Sequence, residues 1–285
     1  MSRAPVALAA ALAGLAACAP EFTPRSVLED VRVLALVAEP PEIGLAGTTS
    51  VTAHTYAPAG AAVTWSWSFC PYSIGSTAGY ACIVPECEQD LPPGNPVAVA
   101  PQAETDRFLA CVAARSGGTL PPGLPAQLPE VVEMIVRYTG RDAGGAVLRQ
   151  AVQRLPVHTL GPPPAPNQNP VIQLVSIGGQ QMPPPAGGPA PVLPPGGELE
   201  VRALLGDPES YLDPAGRTVQ EQLVVSFFTT AGRFDYDRAL GPDARVKLQH
   251  QEVVPGTTLA QVWAVARDLR GGEAIAGPFD VAIGQ

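Results

Sequence analysis

Two tandem β-sandwiches in an all-β chain are the fold class this sequence predicts, and three observations predict it. Short apolar stretches alternate with period two, as strands buried on one face do. Proline (34) and glycine (29) punctuate the intervals between them, and both residues break helices and build turns. The length, 285 residues, exceeds one ordinary sandwich and suits two. Hydrophobic residues make up 46% and charged residues 15%, which places the chain outside the disordered class.

The N-terminus stands apart from this pattern. Arg3 precedes an uncharged stretch from Val6 to Ala17. That stretch is too short to cross a bilayer as a helix, which takes about 20 residues, and it has the length of a signal-peptide core. It ends in Leu15-Ala16-Ala17-Cys18. These four residues resemble the lipobox of bacterial lipoproteins. The resemblance implies cleavage before Cys18 and acylation of that cysteine, palmitate included, so that residues 1–17 are a lipoprotein signal peptide. Two acyl chains hold a protein stably on a membrane. Ala19 after the cysteine implies, by the same resemblance, passage to the outer membrane. Residues 18–28, with Pro20 and Pro24, are expected to be a tether that lifts the first domain off the bilayer. No later stretch approaches 18 apolar residues, and no transmembrane helix is expected.

The first domain is expected over 29–160. Val31 to Ala38 (VRVLALVA) is almost continuously apolar, as a strand buried on both faces would be. Val51 to Ala57 follows. Next, Val63, Trp65, Trp67 and Phe69 alternate with Thr64, Ser66 and Ser68. A face this aromatic needs an opposing sheet to cover it. Residues 70–105 form a cysteine-bearing excursion, and Phe108 to Ala114 is a short apolar segment compatible with strand or helix. Val131 to Tyr138 and Val147 to Val157 read as a hairpin. Leu148, Val152 and Leu155 also recur at helical spacing, but the β-branched content favours strand.

The cysteines agree with export. Removing Cys18 leaves four, Cys70, Cys82, Cys87 and Cys111, within one window of this domain. An oxidising compartment favours disulfides among them, and four cysteines allow three connectivities. Cys70–Cys82 with Cys87–Cys111 is the favoured one, because it closes short loops. Zinc is the rival use, but no second closely spaced pair accompanies Cys82 and Cys87.

Residues 161–170 (GPPPAPNQNP) form a proline-rich linker. In polyproline II geometry, at about 3.1 Å per residue, it would hold the two domains roughly 30 Å apart. The second domain is expected over 171–285. Its strands are Val171 to Ile177, Glu198 to Leu205 with Leu199, Val201, Ala203 and Leu205 inward, Leu223 to Thr230, Val246 to His250, Leu259 to Ala266 and Phe279 to Ile283. The stretches GGELEVRALLGDPES, VVSFFTTAGRF and QVWAVARDLRGGEAIAGPFDVAI resemble bacterial Ig-like and PKD-like envelope domains, which share a strand ending in Arg-Asp-x-x-Gly-Gly. The resemblance implies immunoglobulin-like antiparallel sandwiches. It implies a fold and no activity.

Candidate chemistry is sparse. Formal net charge is −9, and no basic run reaches four residues, so nucleic acid is not an expected partner. His54, His158 and His250 are far apart and fall in no metal-binding spacing. Gly75 to Gly79 (GSTAG) is out of register for a nucleophile elbow. Asp235, Asp237 and Asp243 are weak calcium candidates, as are Asp207, Glu209 and Asp213, because calcium takes clustered carboxylate oxygens. Asp-rich turns are also ordinary loop chemistry. Trp65, Trp67 and Trp263 would suit a sugar-stacking platform only if exposed, and their strand spacing favours core. The expectation is a non-enzymatic, lipid-anchored envelope protein without cofactor. It would bind or space another envelope component, protein or glycan; carbohydrate binding or adhesion is the alternative.

Overall fold

In the computed structural model, residues 24–117, 123–124, 129–163, 165–184, 188–212 and 216–285 are described. Cys18 and its leader lie outside them. The first sandwich runs through β1 (Arg32–Glu39), β2 (Ile43–Gly44), β3 (Thr49–Tyr56), β4 (Thr64–Cys70), β5 (Gln89–Asp90), β6 (Val97–Val99), helix α1 (Pro101–Ser116), β7 (Val131–Arg141) and β8 (Val147–His158). One sheet has the order β1-β3-β6, and the facing sheet β2-β8-β7-β4-β5.

The second sandwich begins with β9 (Ile172–Ile177), β10 (Gln180–Met182), β11 (Val192–Leu193) and β12 (Glu198–Leu205). A small hairpin of β13 (Ser210–Leu212) and β14 (Thr218–Gln220) follows. Then come β15 (Val224–Thr229), β16 (Arg233–Phe234), β17 (Arg238–Leu240), β18 (Asp243–Gln249), β19 (Leu259–Arg267) and β20 (Glu273–Ile283). Its sheets are β10-β9-β12-β18-β16 and β11-β20-β19-β15-β17.

Both sandwiches solve the same topological problem in the same way. The first strand pairs within one sheet, and a short continuation crosses to the other. There it runs parallel to the last strand, as β2 does with β8 and β11 with β20. The remaining pairs are antiparallel. This strand order is that of an immunoglobulin-like sandwich, and the chain is two of them in tandem.

The first core is built by the predicted alternation. Trp67 and Phe69 of β4 meet Val132, Met134, Val136 and Tyr138 of β7. The other face of β7 is also buried, at Ile135, Arg137 and Thr139. It lies under a cap formed by the cysteine-bearing excursion and α1. Disulfides Cys70–Cys82 and Cys87–Cys111 fasten that cap, each closing a short loop. The apolar segment at 108–114 belongs to a helix. Pro101 occupies its first turn and Gly117 ends it with φ 61°, both suited to those positions. Phe108 and Val112, one turn apart, pack into the cap. Val147 onward is a strand, because β8 finds a continuous partner in β7.

In the second core, Val201, Ala203 and Leu205 face Val225, Phe227, Val262 and Ala264. The last strand starts at Glu273, six positions before the expected Phe279. Gly277-Pro278 disguise the continuation, and the register against β19 shifts opposite them, between Val262 and Ala264. A proline within a paired strand reads in sequence as an end. Strand β18 likewise starts at Asp243 rather than Val246.

The sandwiches do not stand roughly 30 Å apart. Leu28, Leu34 and Ala35 share one buried cluster with Trp263 and Val265, and Tyr56 meets Trp263 edge to face at 5.9 Å. This contact explains the two-sided burial of β1. Leu36 and Ala38 face their own core, while Leu34 and Ala35 face the second sandwich. Residues 26–28 are not a free tether either. Leu28 N–H donates to Thr229 O at 2.8 Å, and Thr229 N–H donates to Ser26 O at 2.8 Å. The chain therefore touches the second sandwich before it builds the first.

Candidate functional site

The proline-rich segment 161–170 carries a polar block, Asn167-Gln168-Asn169, that staples the junction. Asn169 Nδ2 donates to Ala38 O at 2.7 Å and to Glu39 Oε2 at 2.8 Å, while its Oδ1 accepts from Glu273 N–H at 2.9 Å. Asn167 Nδ2 donates to Asp268 Oδ2 at 2.7 Å. Asp268 is 1% exposed, and its Oδ1 accepts from the Arg270 and Gly272 backbone N–H groups at 2.7 and 2.9 Å. A buried carboxylate persists when hydrogen bonds replace its lost water. The tight turn requires glycine at 272. A Cβ there would sit 2.2 Å from Asp268 Oδ2 and 2.9 Å from Gln168 O.

Charged groups extend the staple. Glu273 accepts from Leu36 N–H at 3.0 Å and from Arg267 Nε at 2.8 Å. Arg267 also reaches Leu34 O at 2.9 Å. Burial pushes the Glu273 carboxyl above the usual range, and Arg267 offsets part of that shift. Glu42 takes His158 Nε2 at 2.6 Å and Asn167 N–H at 2.7 Å. Arg270 lies 4.2 Å from the centroid of the Tyr211 ring, a cation–π distance, between the carboxylates of Glu42, Glu209 and Glu221. The Arg-Asp-x-x-Gly-Gly strand end at 267–272 is thus the inter-sandwich joint.

Several concavities open among the described residues, and two of them bear on the cap and the joint. The first, about 580 Å³, lies between the disulfide cap and the outer face of β4, β7 and β8. Arg137 forms its floor. Nε meets Glu88 Oε1 at 2.9 Å and NH2 donates to Tyr80 O at 2.7 Å, so the guanidinium joins cap to sheet. Ser68 Oγ donates to the same Glu88 oxygen at 2.5 Å. The second, about 320 Å³, is a crevice at the junction lined by Arg25, Arg32, Arg238 and Arg267 with Leu34 and Phe228.

The predicted candidates fall as follows. Trp67 and Trp263 are buried, and Trp65 is stacked on Tyr138 at 4.6 Å. The three tryptophans therefore form no shared platform. His54 sits on β3, half-buried, and burial lowers its pKa. His158 is held by Glu42, and His250 is 3.3 Å from Gly284 O. Three of the calcium candidates are otherwise employed. Asp243 is paired with Arg202 at 2.6 Å and Arg245 at 2.7 Å, and those guanidiniums hold its carboxyl well below the usual range. Asp235 Oδ1 accepts from the Lys247 and Tyr236 N–H groups at 2.8 Å. Glu209 serves the Arg270 cluster, and Asp213 lies outside the described residues. No group of three His, Cys, Asp or Glu side chains converges among the described residues. The serine of GSTAG lies in a short turn of 3-10 helix, not at a strand-to-helix elbow.

Sequence reasoning missed the joint. The one signal for it was a run of three amides inside a proline-rich stretch, where a pure spacer would have none.

No family model matches the chain, and no curated protein does. Among solved structures it is similar to the D00-D0 domain of intimin, at 12% identity and TM-score 0.24, covering 90% of this chain and 99% of that one. It is also similar to the fibronectin(III)-like modules of Clostridium thermocellum CbhA, at 11% identity and TM-score 0.23, covering 89% and 92%. A third similarity is to the N-terminal four Ig domains of Dscam1 isoform 6.9, at 10% identity and TM-score 0.20, covering 90% and 52%. The strand order itself carries the fold assignment.

Proposed function

We propose that this chain is a non-enzymatic, lipid-anchored envelope protein. It works as a stiff two-sandwich spacer and binding module, carried on Cys18 at the outer membrane and engaging another envelope component. The observation that carries the reading is the inter-sandwich joint. A buried apolar cluster, a glycine-dependent turn and an amide staple together suppress the relative motion that is the default for tandem domains. A module that only had to link two binding activities would gain nothing from this investment in rigidity. A module that must present a surface at fixed distance and angle would. The Leu15-Ala16-Ala17-Cys18 sequence supports the anchor. Burial of Trp67 and Trp263 and the stacking of Trp65 on Tyr138 leave no shared tryptophan platform to support a carbohydrate reading.

The anchor is tested by feeding cells an alkyne-tagged palmitate and comparing wild type with Cys18→Ala. Label on the wild type alone is the expected result. Label on neither chain would refute the anchor.

A further inference from the structure

In an acidic chain, the lining of the junction crevice carries four arginines, Arg25, Arg32, Arg238 and Arg267, against one acidic residue, Asp237, and the Arg32 guanidinium donates to Arg25 O. Arg267 is committed to Glu273, Leu34 O and Ser226 Oγ. Arg25, Arg32 and Arg238 form no ion pair among the described residues, and the one carboxylate on the lining is that of Asp237. Arg32 is half-buried. Arg149 and Arg25 act on it as like charges and Asp30 as an opposite one. Burial first, and then those like charges, lower its pKa. Cations crowded in this way are stabilised by an anion, and the planar guanidinium fork matches phosphate oxygens.

The location supplies the second observation. Arg25 and Ser26 form one lip of the crevice, and Ser26 is fixed to Thr229. Pro24 is six residue steps from Cys18, which span at most about 21 Å when extended. With Cys18 acylated in a bilayer, the crevice mouth is held within that distance of the headgroups. The rest of the chain carries the negative charge that an anionic leaflet repels.

We infer that the Arg25–Arg32–Arg238 crevice is a seat for the phosphate of an anionic membrane phospholipid, and that it docks the junction of the two sandwiches against the bilayer. The proposal rests on the anchored reading for its orientation. Docking would give the anchored chain a fixed stance, with the joint facing the membrane and the disulfide cap available elsewhere. Each arginine close to an anionic surface strengthens binding about fivefold, so loss of two weakens it roughly 30-fold.

The test uses residues 19–285 without lipid. All described strands, both disulfides and the joint lie within 24–285, so the leader and Cys18 contribute none of the contacts described. Flotation is measured with vesicles of phosphatidylcholine alone and with phosphatidylglycerol added. The expected result is binding to the mixed vesicles only, reversed by salt. Arg32→Gln with Arg238→Gln weakens it about 30-fold, and Arg141→Gln, on the first sandwich away from the crevice, leaves it unchanged. Arg238→Gln alone, at an exposed position, is read as well and loses about fivefold, which keeps the test valid if Arg32→Gln loosens the N-terminal segment. Equal binding to both vesicle types, or retention by the Arg238 variant, overturns the proposal. So does protection of the crevice by inorganic phosphate without any vesicle binding, which would assign it to a free anion. The palmitate experiment stands apart: label on Cys18 with no vesicle binding removes the seat and leaves the anchor.

Discussion

Replacing Trp263 by alanine separates the joint from the cores. Trp263 is 6% exposed and lies on the outward face of β19, beside Val265, while Val262 and Ala264 face the second core. Its ring meets Leu34 and Leu28 of the neighbouring sandwich and the edge of Tyr56. A buried tryptophan covers about 200 Å², which at about 25 cal/mol per Å² is about 5 kcal/mol. Partial collapse of the surroundings brings the expected loss to about 3–5 kcal/mol. For a protein of this size that is a fall of roughly 6–20 °C in Tm. Because the contacts removed are between sandwiches, scanning calorimetry should show one transition in the wild type and two in the variant. Circular dichroism should retain the β signal, and small-angle scattering should show a larger radius of gyration. A single transition at unchanged temperature would refute the claim that the joint couples the sandwiches. Complete unfolding would refute the claim that Trp263 lies outside the second core.

Three further outcomes follow from the same geometry. Gly272→Ala places a methyl group on Asp268 Oδ2 and should reproduce the two-transition behaviour, since overpacking costs about 1–3 kcal/mol; urea unfolding followed by tryptophan fluorescence reads it. Cys87→Ser with Cys111→Ser opens a loop with sequence separation 24, expected to cost about 3 kcal/mol. Limited proteolysis should then cut within the cap before either sandwich. Burial raises the Glu221 carboxyl above its ordinary value, so between the unfolded and folded values the native chain binds more protons than the unfolded chain. Its contribution to stability is therefore full below the unfolded pKa and lost as pH rises through the folded one. Glu221→Gln should be more stable than wild type at pH 8, with the gap closing near pH 5. An equal difference at both values would contradict this origin.

The strands that were legible in the sequence are those whose neighbours differ from them in polarity. The Leu199-to-Leu205 face has a polar, largely solvent-facing opposite side, and behind the Trp65-Trp67-Phe69 face Thr64 and Ser66 are exposed, so alternation records burial directly. Where both faces are covered, as in β7 and β1, the sequence marks the strand but not what covers its second face. Strand β7 is buried at Ile135, Arg137 and Thr139 as well as at Met134 and Tyr138, and its outer cover comes from a cap remote in sequence. Strand β1 did announce two-sided burial, but nothing local says that the second cover is Trp263, more than two hundred residues away. Local pattern shows that a face is hidden and not what hides it. The joint was illegible for the same reason: Asn169, Asp268 and Glu273 have value only once folding brings them together. The junction arginines are also scattered, at 25, 32, 238 and 267, so no basic run marks the crevice.

The contact of Ser26 to Leu28 with Thr229, and of Leu36 N–H with Glu273, ties the first residues of the fold to nearly the last. A chain emerging N-terminus first from a ribosome completes its opening sandwich with Leu34 and Ala35 still exposed. Those side chains stay wet until β19 and β20 have emerged and paired. A product that ends before β19 therefore carries an apolar strip that β19 otherwise hides. Wholeness of the polypeptide is in this way written on its surface, where chaperones and proteases that recognise apolar strips can read it.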